Sequence, residues 1–460
     1  MAVGDFDTYY SDNPWEVIDK NQRTWYDPEL IMLFRQRALF TPTIQFVKNL
    51  ESVKATKMVM TQFLDAHPDT TALAVRQIWM PASHVDSREV EVVFSRYGGK
   101  VAYNRYDDLV TYWKENGRAG IRRLMRGVLG QHMIDVLDLL ARNAYIDGAL
   151  DTGYALYEGA GSDFNGITTN DTFDISMGMD IWLGMTLRNV AAAMGPSGAA
   201  NNIICYTTPS VIYDIQKGTN SDEWISVHQY ADTTALLRYE VGAYKNIRFV
   251  QSPKLVLWNS GAIEAQGLVD AAISAGDGAP DPSSTKVDGV YKVGQTSAGI
   301  TNYISVGSWD SGSIADIDVN DIVTIHTTRS SAYGVTNGVD FQEGMLHNRR
   351  VVAKSATPDR LYLDQPIMVD MKTDLGAGVY AYVTKARNIS ASIFVGGPQG
   401  IVSGVAQPPR FHAPIPVDDF EMVQRFSWDA YMGHQPYAPE VFEVAFSAGT
   451  TRVKGAAVVQ

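Results

Sequence analysis

The residues best placed to do chemistry stand in a few short stretches. Asp316-Ile317-Asp318-Val319-Asn320-Asp321 begins like a calcium loop of the Asp-x-Asp-x-Asn kind. Such a loop needs glycine at its sixth position to turn the chain and a bidentate glutamate at its twelfth to close the oxygen cage. Asp321 and Thr327 stand there instead, so the stretch reads as a polar turn feeding an Ile322–His326 strand. Ser308-Trp309-Asp310-Ser311-Gly312 matches a nucleophile elbow only loosely, because no Gly-x-Ser-x-Gly lies between a strand and a helix. Gly396-Gly397-Pro398-Gln399-Gly400 follows a strand, as phosphate loops do, but it lacks the Lys-Ser/Thr ending and Pro398 removes a backbone donor. It reads as a turn. The eight histidines are spread over the whole chain with no two at i, i+3 or i, i+4, which excludes a zinc site of helix-paired histidines. Cys205 is the single cysteine and follows Ile203-Ile204, so it reads as a buried inert thiol and leaves no disulfide or cysteine-rich metal site. Neither a catalytic nor a metal nor a cofactor constellation emerges.

One charge pattern remains. Arg118, Arg122, Arg123 and Arg126 fall on the first turns of a long helical pattern, where the macrodipole favours anions over cations. They are either a solvated face or partners for carboxylates of an adjacent subunit or for phosphates of an enclosed genome.

The helix that must position them is long. Ile121, Leu124, Met125, Val128, Leu129, Met133, Val136, Leu137, Leu140 and Ala144 recur at steps of one, three and four. That is one apolar stripe on a rod of about 30 residues, roughly 45 Å. Ahead of it, Thr56–Phe63 and Arg88–Phe94 read as the two strands of a projecting hairpin, with Val90, Val92 and Phe94 on its dry face. Residues 1–50 form an arm holding Trp15, Trp25, Tyr26, Leu33 and Phe34, broken at Pro14 and Pro28. Burying those five side chains yields roughly 7–15 kcal/mol. Ordering about 30 residues costs at least as much. The arm therefore packs either on its own domain or, with a neighbour's added contacts, on an adjacent subunit.

Beyond the rod an α/β unit begins. The spacing predicts a helix over 181–194, a buried strand at 202–206, a helix begun by Pro209, and a turn between extended segments within 239–250. Residues 259–284 read as linker, because Gly276–Ser284 is rich in Gly, Pro and Ser. Five short strands follow within 285–385, predicting a self-contained sandwich or barrel that folds by itself and stands on the outer surface. The α/β pattern resumes at Ile393, and a last hairpin pairs a strand carrying Met422, Phe426, Trp428 and Ala430 with one carrying Phe442, Val444 and Phe446.

Composition narrows the class. The 460 residues have room for about three domains. Hydrophobic content of 45% and charged content of 19% are those of a folded protein. A net charge of −13 argues against a general nucleic-acid binder, since phosphate contacts need a basic surface. No apolar run of 18 residues and no signal peptide is seen, which predicts a cytoplasmic protein without a membrane span.

Taken in order, these elements resemble the major capsid proteins of tailed bacteriophages, which have the Hong Kong 97-type fold, and in particular their N-four-like group. There a Gly-Glu-Ile-Gly-like turn precedes a Val-Arg-Phe strand, similar to Tyr239-Glu240-Val241-Gly242 and Ile247-Arg248-Phe249-Val250 here. The family's Asp-Pro-Leu-x-Gln…Gly-Trp-Lys resembles Asp418-Asp419-Phe420-Glu421-Met422…Ser427-Trp428-Asp429, with the Asp and the Trp kept. The resemblance implies an α+β fold with an N-terminal arm (1–50), an extended loop (51–100), and a peripheral domain with a spine helix (101–178 and 408–446). It also implies an axial domain (179–258 and 386–407), an inserted β-rich domain (259–385) and a C-terminal tail (447–460). It further implies hundreds of copies in pentamers and hexamers around double-stranded DNA, assembled in the host cytoplasm with a scaffolding protein, a portal and decoration proteins. Wall charge facing inward would keep the DNA from sticking. Trp15, Trp25, Tyr26, Phe34 and the four arginines are then inter-subunit contacts. Two alternatives are an encapsulin-type compartment and a β-rich adhesion or baseplate protein.

Overall fold

The computed structural model describes residues 38–44, 46–50, 56–63, 85–104, 120–159, 161–188, 203–217, 224–226, 239–269, 303–327, 346–356, 359–364, 381–397, 399–412 and 423–449, with a few isolated positions and short strands between them. They form two compact units, 37–148 with 398–441, and 149–397 with 442–460.

In the first unit the predicted rod is a helix of 33 residues, Gly120–Thr152, about 50 Å long at 1.5 Å per residue. It lies on a five-stranded sheet whose central strand is Val423–Pro436, flanked on one side by Ile401–Phe411 and then Ile415–Pro416, and on the other by Ser95–Asn104. Phe46–Asn49 adds to the outside of Ile401–Phe411, in parallel. Phe426, Trp428, Ala430 and Met432 alternate along the central strand and bury one face with Leu129, Met125, Met133 and Leu137 of the helix. The Trp428 indole is fully buried and donates from Nε1 to His132 Nδ1 at 3.2 Å. Gly99 lies opposite it, where a Cβ would stand within 3 Å of both rings, so only glycine admits that approach.

The helical stripe differs from the predicted one. Val128 is exposed, and toward the C-terminal end the buried positions include Asp138, Ala141, Arg142, Tyr145, Ile146 and Ala149. Asp138 and Tyr145 are tied there by the incoming chain. Asp138 Oδ1 accepts from the backbone N–H groups of Leu39, Phe40 and Thr41 at 2.8, 2.7 and 3.2 Å. Tyr145 bonds Thr43 at 3.1 Å.

The second unit is built on an eight-stranded sheet. Its order runs Ala155–Tyr157, Phe442–Ala448, Ile389–Val395, Ile203–Thr207, Ile247–Gln251, Glu240–Tyr244, Trp224–Ser226, with Val256–Leu257 also on Ile389–Val395. The central strands are buried at every residue, which is why they read as continuous apolar runs. The helix predicted at 181–194 is Ile175–Leu187. Ile175, Gly178, Ile181 and Met185 form its buried face, while Leu183 and Leu187 are exposed. The helix begun by Pro209 buries Val211, Ile212 and Ile215 as expected.

The last hairpin does not form. Val423–Pro436 pairs with Ile401–Phe411 and Ser95–Asn104, whereas Phe442–Ala448 pairs with Ile389–Val395 and Ala155–Tyr157. Their alternation is as read, but Pro436 and Pro439 with a short 3-10 turn at Pro439–Val441 separate two strands of different sheets.

The inserted module is a closed six-stranded barrel, in the order Ile263–Val269, Ile304–Ser311, Asp359–Leu363, Leu346–Ala356, Ile322–His326, Tyr382–Ala386. Val306, Val323, Ile325, Val351, Leu361 and Val383 belong to its filled core. The linker reading of 259–284 is corrected here: Ile263–Val269 is a barrel strand, pairing with both Ile304–Ser311 and Tyr382–Ala386 to close the ring. The segment 276–284 itself lies outside the described residues. At the barrel's base the two chain crossings are tied together. Asn259 Oδ1 accepts from Ala386 N, Asn388 Oδ1 accepts from Asn259 N, and Gly261 and Arg387 exchange a backbone bond at 2.8 Å.

Two outcomes follow from this packing. A fragment of residues 259–388 should unfold cooperatively, followed by near-ultraviolet circular dichroism, whereas 285–385 lacks a closing strand and should show no cooperative transition. Acid should also weaken the protein through two histidines. Burial lowers His434 to about 4, and burial with the neighbouring Arg349 charge lowers His347 to about 4. Between pH 6.5 and 4 the unfolded chain binds protons that these folded imidazoles refuse, so stability is full above pH 6.5 and falls as pH drops. The slope is about 1.4 kcal/mol per pH unit for each histidine, roughly 3 kcal/mol across the window. In urea titrations at pH 7 and 4.5, His434→Gln should lose about that much less than the wild type.

Candidate functional site: exposed surfaces

The hairpin is present as read. Lys57–Phe63 and Ser87–Val93 pair antiparallel, with Met58 opposite Val92 and Met60 opposite Val90. This inner face packs with Phe94 and Val402 of the first unit's sheet. Approach is so close at Gly433 that a Cβ there would overlap the Val93 carbonyl oxygen. Arg88 anchors the far end, donating to Gln62 Oε1 and to the Tyr437 carbonyl at 2.8 Å, with Glu440 at 3.6 Å. The outer face of the same ribbon is unlike a solvated one. Val59, Phe63 and Val93 are 50%, 73% and 57% exposed, beside Lys57 and Glu91, which pair at 3.1 Å.

The predicted contact residues fare differently. Trp15, Trp25, Tyr26, Phe34 and Arg118 lie outside the described residues. Arg122 and Arg123 sit in the helix backbone, and only their place on its first turns is described. Arg126 is exposed and lies 5.8 Å from the centre of the Phe411 ring, a cation–π contact with the neighbouring strand.

Sequence reasoning missed a second group of cations. On the sheet face opposite the helix, Asp429 is buried and gathers Arg96 at 2.9 Å, Arg410 at 3.2 Å, His412 at 2.9 Å and Gln407 at 2.8 Å. Burial acts to raise the Asp429 carboxyl, but hydrogen bonds from His412, Arg410 and Arg96 outweigh it and hold it below the usual aspartate range. These residues are scattered over more than 300 positions, so only the strand register brings them together.

The candidates for chemistry resolve into structure. The Asp316–Asp321 stretch is a capped turn in which Ser313 and Asp316 form a capping box and Asp321 Oδ2 accepts from Asp318 N at 2.7 Å. Lys385 occupies the place a cation would take, 2.7 Å from Asp321 and 3.2 Å from Glu264. Burial acts to lower its pKa, but those carboxylates hold it above the usual lysine value. It lines a cleft of about 290 Å³ at the barrel's base, with Thr168, Asn259 and Arg387. Cys205 is fully buried, and desolvation pushes its thiol pKa up, which removes its nucleophilic form.

Neither a known family profile nor a curated protein matches this sequence. Solved structures do. The capsid of Ralstonia phage GP4 is 11% identical with a TM-score of 0.51, over 94% of this chain and 96% of that one. The capsid asymmetric unit of cyanophage Pam1 is 11% identical with a TM-score of 0.47, over 95% and 98%. The capsid of Helicobacter pylori bacteriophage KHP30 is 9% identical with a TM-score of 0.44, over 95% and 97%. A long helix on a sheet, a two-stranded hairpin and a second α/β unit, with a closed barrel added, thus compose a chain with the Hong Kong 97-type α+β fold of tailed-phage capsid proteins.

Proposed function

We propose that this chain is the major capsid protein of a tailed bacteriophage, a structural protein that self-assembles through pentamers and hexamers into an icosahedral shell around double-stranded DNA. The observation that carries this reading is the alignment of nearly the whole chain, end to end, with a phage capsid subunit. The outer face of the hairpin supports it, because a ribbon with Val59, Phe63 and Val93 in solvent is incomplete in a monomer. In this reading residues 51–100 are the extended loop and 101–178 with 408–446 the peripheral domain. Residues 179–258 with 386–407 are the axial domain, and the inserted domain of 259–385 stands on the outer surface. The arm with Trp15, Trp25, Tyr26 and Phe34 lies on a neighbour, and Arg118, Arg122, Arg123 and Arg126 face an adjacent subunit or the genome. A scaffolding protein, a portal and decoration proteins are the further partners, and the virion shell is the location. The role is architectural and not catalytic.

Purified chain, with its scaffolding protein supplied, should form capsomers or closed shells visible by electron microscopy. A stable monomer under every assembly condition would count against the proposal. Val59→Asp with Phe63→Asp should leave circular dichroism and unfolding unchanged yet suppress shells. Each apolar side chain lost from a fully buried contact removes about 1.5–3 kcal/mol per subunit pair. Deleting residues 1–28 should likewise leave a folded subunit that closes shells poorly. Hydrogen exchange over residues 10–40 should slow on assembly, and equal protection in subunit and shell would refute the arm's role.

A further inference from the structure

We propose that the cationic sheet face around Asp429 is the docking surface for the acidic N-terminal arm of a neighbouring copy, a reading that rests on the shell-forming function above. The register fixes the face. In the pairing of Ser95–Asn104 with Val423–Pro436, Arg425 stands opposite Ala102, Ser427 opposite Lys100, Asp429 opposite Gly98 and Tyr431 opposite Arg96. Side chains alternate along each strand, so Arg96, Lys100, Arg425 and Asp429 share one face. Arg410, opposite Asp429 on the third strand, joins them. Trp428 and its neighbours take the other face, against the helix.

This face is strongly biased in a chain of net charge −13. Among the described residues, four exposed cations, Arg96, Lys100, Arg410 and Arg425, surround a single carboxylate that is itself buried. Arg96 and Arg410 keep 74% and 59% of their side chains in solvent while Asp429 fixes their position. Guanidinium groups held in place by a shared carboxylate lose little entropy on meeting further anions. Lys100 and Arg425 have no ion-pair partner among the described residues.

The chain itself supplies a complementary segment. Residues 1–30 hold seven acidic and two basic side chains, interleaved with Tyr9, Tyr10, Trp15 and Trp25. The copy's own arm is badly placed to use the face. Its exit at Leu39–Thr41 is pinned to Asp138 of the long helix, and that helix covers the opposite side of the sheet. A second copy is the occupant the geometry favours. DNA fits less well, since tracking a phosphate backbone takes an extended basic surface and this patch is four cations on an acidic chain.

Zero-length carbodiimide coupling joins carboxylates to amines and tests this in the full-length chain. In shells assembled from isotopically light and heavy copies, Lys100 should couple to arm carboxylates of a different copy, read by mass spectrometry. Lys100→Glu with Arg425→Glu avoids the residues bonded to Asp429 and should fold normally. It should lower the assembled fraction about tenfold at low salt, since like charges across an interface are strongly disfavoured. Reversing Asp12, Glu16 and Asp19 to lysine in the same chain should restore assembly. Closed shells with no coupling between Lys100 and an arm would overturn this docking and leave the shell reading standing. So would a charge-reversed variant that assembles normally but retains less DNA, because the face would then belong to the genome. A chain that stays monomeric throughout would overturn both.

Discussion

Everything in the first unit depends on one strand being dry on one side and charged on the other. Val423–Pro436 presents Phe426, Trp428, Ala430 and Met432 to the long helix, and Asp429 and Tyr431 to the opposite side. Burying Trp428 against Leu129 and His132 sets where the helix can lie, and an indole-to-alanine cavity there would cost about 3–5 kcal/mol. With the helix fixed on one face, the hairpin has only the other face to pack on, where Phe94 meets Tyr431 at 6.0 Å between ring centres. The remaining length of that face is left to the cations. A single period-2 pattern therefore separates rod, hairpin and charged surface into three non-competing places.

Local periodicity made most of the elements legible. The two strands of the hairpin, the rod, the strand at 203 and the helix at Pro209 each carry their pattern in a contiguous stretch of their own, so the signal survives without a fold. What failed was pairing over long separations. Alternation alone puts Phe426, Trp428 and Ala430 on one face, yet nothing local says that this strand's neighbours are at 95–104 and 401–411 and not the next strand in the chain. Ile263–Val269 was missed for a related reason. Its sequence, Ile-Glu-Ala-Gln-Gly-Leu-Val, is weakly apolar, and it becomes a strand because two partners already present a gap of its width.

The same logic applies to the surfaces. The helical arginines were visible because they are neighbours in sequence. The Asp429 cluster was not, because Arg96, Arg410 and His412 meet only through the register. Charge balance also misled at the scale of the whole chain. A net charge of −13 describes the average surface, while folding sorts cations onto one side of one sheet. Association depends on such local fields and not on the sum, since beyond about 8–10 Å salt screens most of it.

The barrel's mounting has a consequence for how such a chain can change over time. Its two connections lie side by side, clasped by Asn259 and Asn388 and by the bond between Gly261 and Arg387. A closed barrel offers no open sheet edge for another strand to add to. Any other closed domain whose ends are equally close could occupy the same socket without stretching the strands beneath it. The site is therefore a cassette position, at which the inserted domain can be exchanged while the sheet beneath it is left alone.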